Sequence, residues 1–314
     1  MAAIKMKLDS KIYVAGHRGL LGSAVVRRLK KSGYENLLLR TSAELDLSNQ
    51  ENTYSFLNKE KPDFVFLCAA KVGGIKANME AQGDFLFRNL QIQNNVIEGA
   101  RRAGVKKLLF VGSSCIYPKA ISTPIREDQL LTGALEETNE GYAVAKIAGI
   151  KLCQFYRRQH GCDYISAIPS NLFGISDNFD LNTGHMLPAM IHKAHLLKGK
   201  SNAEITVWGT GTPRREFMLS DDCADAMIFI MENYSAEEPI NIGTGKDETI
   251  LNLVKTVLST LEINAKIIFD SSKPDGMMRK VLDVAKLHKL GWQSKFTIEE
   301  GIRIAYEDFL GSKK

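Results

Sequence analysis

The sequence has few cysteines and prolines, and each scarcity excludes something. Its 314 residues include five cysteines, an odd number, with no pair at Cys-x-x-Cys spacing. That argues against a disulfide framework and a cysteine metal cluster, so a reducing, cytoplasmic setting is expected and no metal. With 8 prolines and 25 glycines the chain is neither collagen-like nor of low complexity. No apolar run is long enough to cross a bilayer, and the opening MAAIKMKLDSKIYVAG lacks the apolar core of a signal peptide. Charge of one sign is scarce too: 41 Lys+Arg against 36 Asp+Glu leaves a net +5. The densest basic cluster, Arg101, Arg102, Lys106 and Lys107, falls at an expected helix end and the turn after it. It is not the concentrated stripe of a nucleic-acid binder. A solvated face and a small anionic partner both fit this excess; a nucleic acid or a membrane does not.

What is present is ordinary globular composition, 44% hydrophobic and 25% charged. At roughly 150 residues per domain the length suggests about two domains. The first half alternates between two periodicities. Residues 12–15, 36–39, 64–69, 107–112 and 164–169 read as strands, and 22–31, 50–59, 89–102 and 141–160 as helices. The unbroken apolar run at 64–69 is that of a strand buried on both faces. Such alternation implies an α/β fold with a parallel sheet covered on both sides. After Asn171 the pattern loosens. A loop-rich stretch at 174–184 precedes a helix at 188–198 and shorter elements at 205–208, 222–232, 240–243, 250–261 and 266–269, with helical patterns at 283–290 and 297–310.

Gly16-His17-Arg18-Gly19-Leu20-Leu21-Gly22 lies between the first strand and the first helix. Its G-x-x-G-x-x-G spacing suits a dinucleotide pyrophosphate. Gly16 permits a tight turn, Gly19 a close backbone approach and Gly22 close helix–strand packing, with the helix N-terminus facing the anion. The fold expected is a Rossmann-like doubly wound parallel sheet with a smaller mixed α/β C-terminal substrate domain. The boundaries expected are 1–173 and 174–314, with a segment near 216–235 packing back on the first. At the tip of the second strand stand Leu39-Arg40-Thr41-Ser42, with no acid to bind a ribose 2′-hydroxyl. Arg18 and Arg40 would instead suit a 2′-phosphate, which favours NADP over NAD. Asp46 is a candidate for the adenine edge or for capping the next helix.

Tyr142 and Lys146 are four apart on one face of the predicted long helix. An ammonium beside a phenol favours the phenolate and lowers its pKa, and the lysine can reach ribose hydroxyls. Ser113 and Ser114, after a strand, can hold a substrate oxygen beside the tyrosine.

With these residues in view, the chain resembles the extended short-chain dehydrogenase/reductases. More narrowly it resembles their GDP-4-keto-6-deoxymannose 3,5-epimerase/4-reductases. The phrases that carry the likeness are AGHRGLLGSAV, AAKVGGIKAN, GSSCIYPK, YAVAKIAGIKLC, NLFGISDNF, VWGTGTPRREF and SKPDGMMRKVLD. The resemblance implies NADPH-dependent conversion of GDP-4-keto-6-deoxy-D-mannose to GDP-L-fucose. The alternative is action on another nucleotide-linked keto sugar, such as a GDP-4-keto-heptose. It implies a catalytic set of Ser113, Tyr142, Lys146, Cys115 and His185, the last two inverting C3 and C5. Cys68, Cys153, Cys162 and Cys223 are read as structural.

The resemblance extends the cofactor contacts from the glycine loop, Arg40, Ser42 and Asp46 to Ala69, Ala70, Gly112, Ser113, Tyr142, Lys146, Pro169, Asn171, Leu172 and His185. It puts Ser114, Asn171, Lys193, Trp208, Arg215, Asp275 and Lys280 on the substrate. For Trp208 a core position, for Arg215 a surface salt bridge and for Asp275 a turn position are the competing readings. Close family members have arginine where Lys193 stands, and some have arginine at Ser42. Lysine keeps the charge but loses the bidentate fork. A homodimer through the long helix is also implied.

Overall fold

The computed structural model describes residues 4–311 apart from 182 and 274. The elements run β1 (Ile12–Ala15), α1 (Leu20–Lys31), β2 (Leu37–Leu38), α2 (Gln50–Glu60), β3 (Phe64–Leu67), α3 (Ile75–Glu80), α4 (Gln82–Arg102), β4 (Lys107–Val111), α5 (Glu140–His160) and β5 (Asp163–Pro169). There follow β6 (Asn171–Phe173), α6 (Met186–His195), β7 (Glu204–Trp208), β8 (Arg214–Arg215), β9 (Phe217–Leu219), α7 (Ser220–Asn233) and β10 (Ile240–Ile242). The last are β11 (Glu248–Thr249), α8 (Ile250–Thr260), β12 (Lys266–Asp270), β13 (Arg279–Lys280), α9 (Ala285–Lys289) and α10 (Ile298–Gly311).

Six strands form one parallel sheet in the order β10-β5-β4-β3-β1-β2. It is the α/β doubly wound arrangement the alternating pattern predicts. Strands β1, β3, β4 and β5 are buried along their whole length, as their near-continuous apolar runs require. Helices α1 and α7 cover one face, with Val25, Leu29, Met227 and Ile230 in the core. Helices α2, α4 and α5 cover the other, with Leu57, Val96, Ile97 and Ile150. From β1 the chain steps one way to β2 and then back to β3 on the other side. The crevice between β1 and β3 is therefore the switch point where such sheets bind ligands.

The remaining elements gather around a third core of Phe173, Leu187, Ile191, Val254, Val257 and Ile302. Three small sheets, β12-β7, β11-β8-β13 and β6-β9, accompany it. The 240–243 strand, expected in the second region, is the outer strand of the main sheet, beside β5. Helix α4 begins at Gln82, seven residues before the apolar periodicity shows itself, and a short α3 precedes it. At the sheet end away from the switch point, fully buried Lys107 donates to the Tyr234 carbonyl at 2.6 Å and lies 3.5 Å from Asp163. Asp163 also accepts from Arg157 at 2.7 Å. Buried networks of this kind specify a packing more than they stabilise it.

Candidate active site

The glycine turn sits at the switch point. Gly16 has φ +83°, and a Cβ there would stand 2.7 Å from the Ala69 backbone just after β3. A Cβ on Gly22 would stand 2.1 Å from the Gly16 carbonyl oxygen, whereas one on Gly19 would make only an ordinary contact with it at 3.5 Å. The first helical bond of α1 runs from Ser23 to Gly19. The N–H groups of Leu20, Leu21 and Gly22 therefore precede it, and the first turn carries no acidic residue. A cradle of this shape fits a dinucleotide pyrophosphate on its backbone amides.

The neighbouring corner shows how its charged side chains are held. Arg18 is exposed in the turn. Arg40 is drawn back onto α2. It lies over the Phe56 ring at 5.4 Å, 3.7 Å from Glu60, and donates to its neighbour's carbonyl. The aromatic face and the carboxylate hold that guanidinium against α2. Thr41 donates its N–H and its hydroxyl to Glu44, at 2.7 and 2.8 Å, and Ser42 is exposed beside them. The His17 ring is half-buried here, and loss of hydration, with Arg18 nearby, lowers its pKa. Asp46 does not cap α2, whose cap is Asn49. Asp46 instead accepts from Ser48 and from Arg88 at 2.8 Å.

Ser113, Cys115, Tyr142 and Lys146 are brought together beyond the ends of β4 and β5. The chain leaves β4 through Gly112, whose N–H bonds the Ala167 carbonyl at 2.7 Å. It then makes a tight turn in which the Cys115 N–H donates to the Ser113 hydroxyl at 3.3 Å, with Ser114 buried beneath. Helix α5 is set against α4 at its first turn. The Gly141 N–H donates to the Gln82 side chain at 3.0 Å, and Gln93 donates to the Ala145 carbonyl at 2.7 Å. That fixes Tyr142 over the turn. Burial, then the neighbouring Cys115, push its phenol well above the usual range, and a hydrogen bond with Ser113 partly offsets them.

The lysine effect expected from the Tyr-x-x-x-Lys spacing is thus overridden. Lys146 is 2% exposed, and burial lowers its own pKa to about 8. Its ammonium donates to the Val111 carbonyl at 2.8 Å and lies 5.8 Å from the Tyr142 ring centroid. Burial of the phenol, and not the ammonium one turn along, sets the direction of its shift.

His185 is the residue before α6, with an extended backbone, and its side chain makes no cap bond. It stands at the solvent-facing rim, but surrounding protein removes enough hydration to lower its pKa. The 183–184 backbone just before it packs on Gly74 of the AAKVGG segment. Lys193 lies two turns further along α6 and is half-buried.

On the other side of the site, Arg215 of β8 pairs in register with Lys280 of β13. Arg214 and Arg279 are both committed to Asp247, at 3.0 and 2.7 Å. The salt-bridge reading thus belongs to Arg214. Arg215 is half-buried, donates to the Arg214 carbonyl, and has its pKa lowered by burial. Asp275 accepts from the Thr210 N–H at 2.7 Å and its hydroxyl at 2.9 Å, a tie across 65 residues of sequence. Trp208 is 65% exposed, so it is not a core aromatic, and Lys273 lies over its ring. The Asn171 amide donates to the Glu216 carbonyl at 2.8 Å.

Two features escaped the sequence reading. Lys280 Nζ stands 3.8 Å from Cys115 Sγ. Glu216, 1% exposed, accepts from the N–H groups of Leu282, Thr244 and Gly245 at 2.6–2.8 Å. A lone acid between an arginine and an apolar strand, in RREFML, was the available signal for Glu216.

A glycine turn at the switch point and a serine–tyrosine–lysine cluster beyond the next strands define a class of dinucleotide-dependent enzymes. The profile of the NAD dependent epimerase/dehydratase family matches residues 12–243, and the chain belongs to that family. Within it, the chain is 50% identical over 306 residues to the GDP-L-fucose synthase of Sinorhizobium fredii, covering 97% of each. Among solved structures it is similar to a GDP-L-fucose synthetase from Naegleria fowleri bound to NADP. That match has a TM-score of 0.92 and 31% identity over 99% of this chain and 96% of that one. It is also similar to a GDP-6-OMe-4-keto-L-xylo-heptose reductase from C. jejuni. There the TM-score is 0.93, with 36% identity over 99% and 100% of the two chains.

Proposed function

We propose that the protein is an NADPH-dependent bifunctional 3,5-epimerase/4-reductase that converts GDP-4-keto-6-deoxy-D-mannose to GDP-L-fucose. The observation that carries this reading is the cluster of Ser113, Cys115, Tyr142 and Lys280, in a chain half identical to a GDP-L-fucose synthase.

A ketone at C4 acidifies the protons on C3 and C5, because removing either leaves an enolate. Inversion needs one group to take a proton and another to deliver one from the opposite face. Cys115 and His185 are the residues for this, both groups of the type that exchanges protons near neutral pH. Ser113 holds the C4 oxygen and stabilises its developing negative charge. Bound on the glycine turn, NADPH supplies the hydride for C4. Tyr142 delivers the proton to the C4 oxygen. Its raised pKa suits that role, since burial keeps the phenol protonated at neutral pH. Lys146 orients the cofactor ribose. Arg215, with Lys193 and the exposed Trp208, receives the diphosphate and guanine. Arg18 is the cation for a 2′-phosphate.

The unit in solution is a homodimer, paired through the outer faces of α4 and α5. Phe87, Val144 and Phe155 are exposed there despite being large and apolar.

The direct test mixes the protein with GDP-4-keto-6-deoxymannose and NADPH, follows cofactor absorbance and identifies the sugar by NMR. GDP-L-fucose is the expected product. A C4-reduced sugar with unchanged C3 and C5, or turnover only with a GDP-keto-heptose, would overturn the reading.

A further inference from the structure

Cys115 and Lys280 are 165 residues apart in sequence, yet the lysine ammonium stands 3.8 Å from the thiol sulfur. The strand that carries the lysine is fastened on both sides. The Glu216 N–H donates to the Lys280 carbonyl at 3.2 Å, and the Ile125 N–H to the Val281 carbonyl at 2.9 Å. The Asp283 N–H returns a bond to Ile125 at 2.8 Å. Buried Glu216 ties Leu282 to the Thr244–Gly245 turn through its two carboxylate oxygens. A flexible four-carbon side chain is thus presented from a backbone that has little freedom. The titratable groups placed against Cys115 are Lys280 from β13 and Tyr142 from α5. Burial keeps Tyr142 protonated, so Lys280 supplies the charge at this point.

We propose that Lys280 holds Cys115 as a thiolate, and that Glu216 is the positioning residue that keeps Lys280 there. The proposal rests on the reading of Cys115 as a proton-transferring group. An ammonium in contact with a thiol favours its ionised form. The thiolate then takes the proton from the carbon beside the ketone and becomes a thiol. The C–H electron pair moves to the ketone oxygen as an enolate, and a second acid protonates the carbon from the other face. Loss of the thiol proton to solvent restores the thiolate beside Lys280. Lys280 thereby acts at the reacting end of the substrate, and not only on its diphosphate.

The test is alkylation of the full-length protein with iodoacetamide, read at Cys115 by peptide mass spectrometry, with half-buried Cys162 as the internal control. In Lys280→Met the Cys115 rate at neutral pH should fall about tenfold, and its pH profile should move to the alkaline side. Lys280→Arg should restore most of the rate, and Cys162 should be unaffected. Unchanged NADPH binding by fluorescence shows that a variant is folded, and Lys280→Gln serves as a second neutral variant. Glu216→Gln should give a smaller shift of the same sign. An unchanged Cys115 profile in folded Lys280→Met or Lys280→Gln overturns the proposal. Undiminished solvent exchange of the sugar protons in Cys115→Ser would instead overturn the acid–base reading of Cys115, without touching the Lys280–thiol coupling.

Discussion

The ammonium of Lys146 donates to the Val111 carbonyl at 2.8 Å, so the helix that carries Tyr142 is tied to the end of β4 by a buried charge. Burial lowers the Lys146 pKa from 10.5 to about 8. The sign follows from linkage. Below pH 8 both folded and unfolded states hold the proton, and the folded state bears the full cost of burying it. Between about 8 and 10.5 the unfolded state binds more protons, so this group's contribution to stability rises with pH, by on the order of 2–3 kcal/mol. Urea unfolding of the ligand-free protein should show the wild type gaining on Lys146→Met across that window. Parallel curves would contradict the buried-cation account.

The contact of Gly22 with the Gly16 carbonyl makes the turn intolerant of a side chain. Gly22→Ala would put a methyl 2.1 Å from that oxygen, where no flexible atom can yield. Cofactor affinity should fall at least about tenfold, with a loss of stability of about 1–3 kcal/mol from overpacking. Fluorescence titration with NADPH and thermal unfolding read the two effects separately.

Two adjacent arginines should behave differently. Arg215→Ala removes the guanidinium not committed to Asp247. It should raise KM for the GDP-sugar roughly 10- to 100-fold, as expected for a charge-assisted contact, with cofactor affinity unchanged. Arg214→Ala leaves Asp247 with Arg279 alone. It should mainly lower the melting temperature. Steady-state kinetics beside calorimetry distinguish them.

Glu216→Gln tests the clamp behind Lys280. One carboxylate oxygen faces Thr244 and Gly245, and the other faces Leu282. An amide must turn its NH2 towards one set of N–H donors, which costs about 1–3 kcal/mol. Denaturation should show that loss, and KM should rise because β13 and β8 carry Lys280 and Arg215.

Phe155→Glu tests the proposed helix-face dimer. The substitution puts a charge on an exposed apolar site of α5. Sedimentation should show a monomer where the wild type sediments as a dimer. An unchanged sedimentation coefficient would place any interface elsewhere.

The legible parts of the sequence were those set by local chemistry. The apolar runs of β3 and β4 announced buried strands, and the glycine spacing announced a turn with no room for a Cβ. Pairing partners were not legible. The 240–242 segment reads as a strand, but nothing in it says that it lies beside β5. Charge was legible and its partners were not: Arg40 lies against Phe56 and Glu60, and Asp275 bonds Thr210, 65 residues away. The Tyr142–Lys146 spacing correctly put both on one helix, but burial decides the protonation of each. The Cys115–Lys280 contact depends on tertiary packing across most of the chain, which no local pattern records.

On the proposed mechanism one site inverts two carbons by proton exchange and reduces a third by hydride. A turnover of GDP-4-keto-6-deoxymannose with ordinary NADPH in heavy water tests it most directly, with the product read by NMR. The account predicts GDP-L-fucose with deuterium at C3 and C5 and protium at C4. A reduced product with protium at C3 and C5, or deuterium at C4, would contradict it.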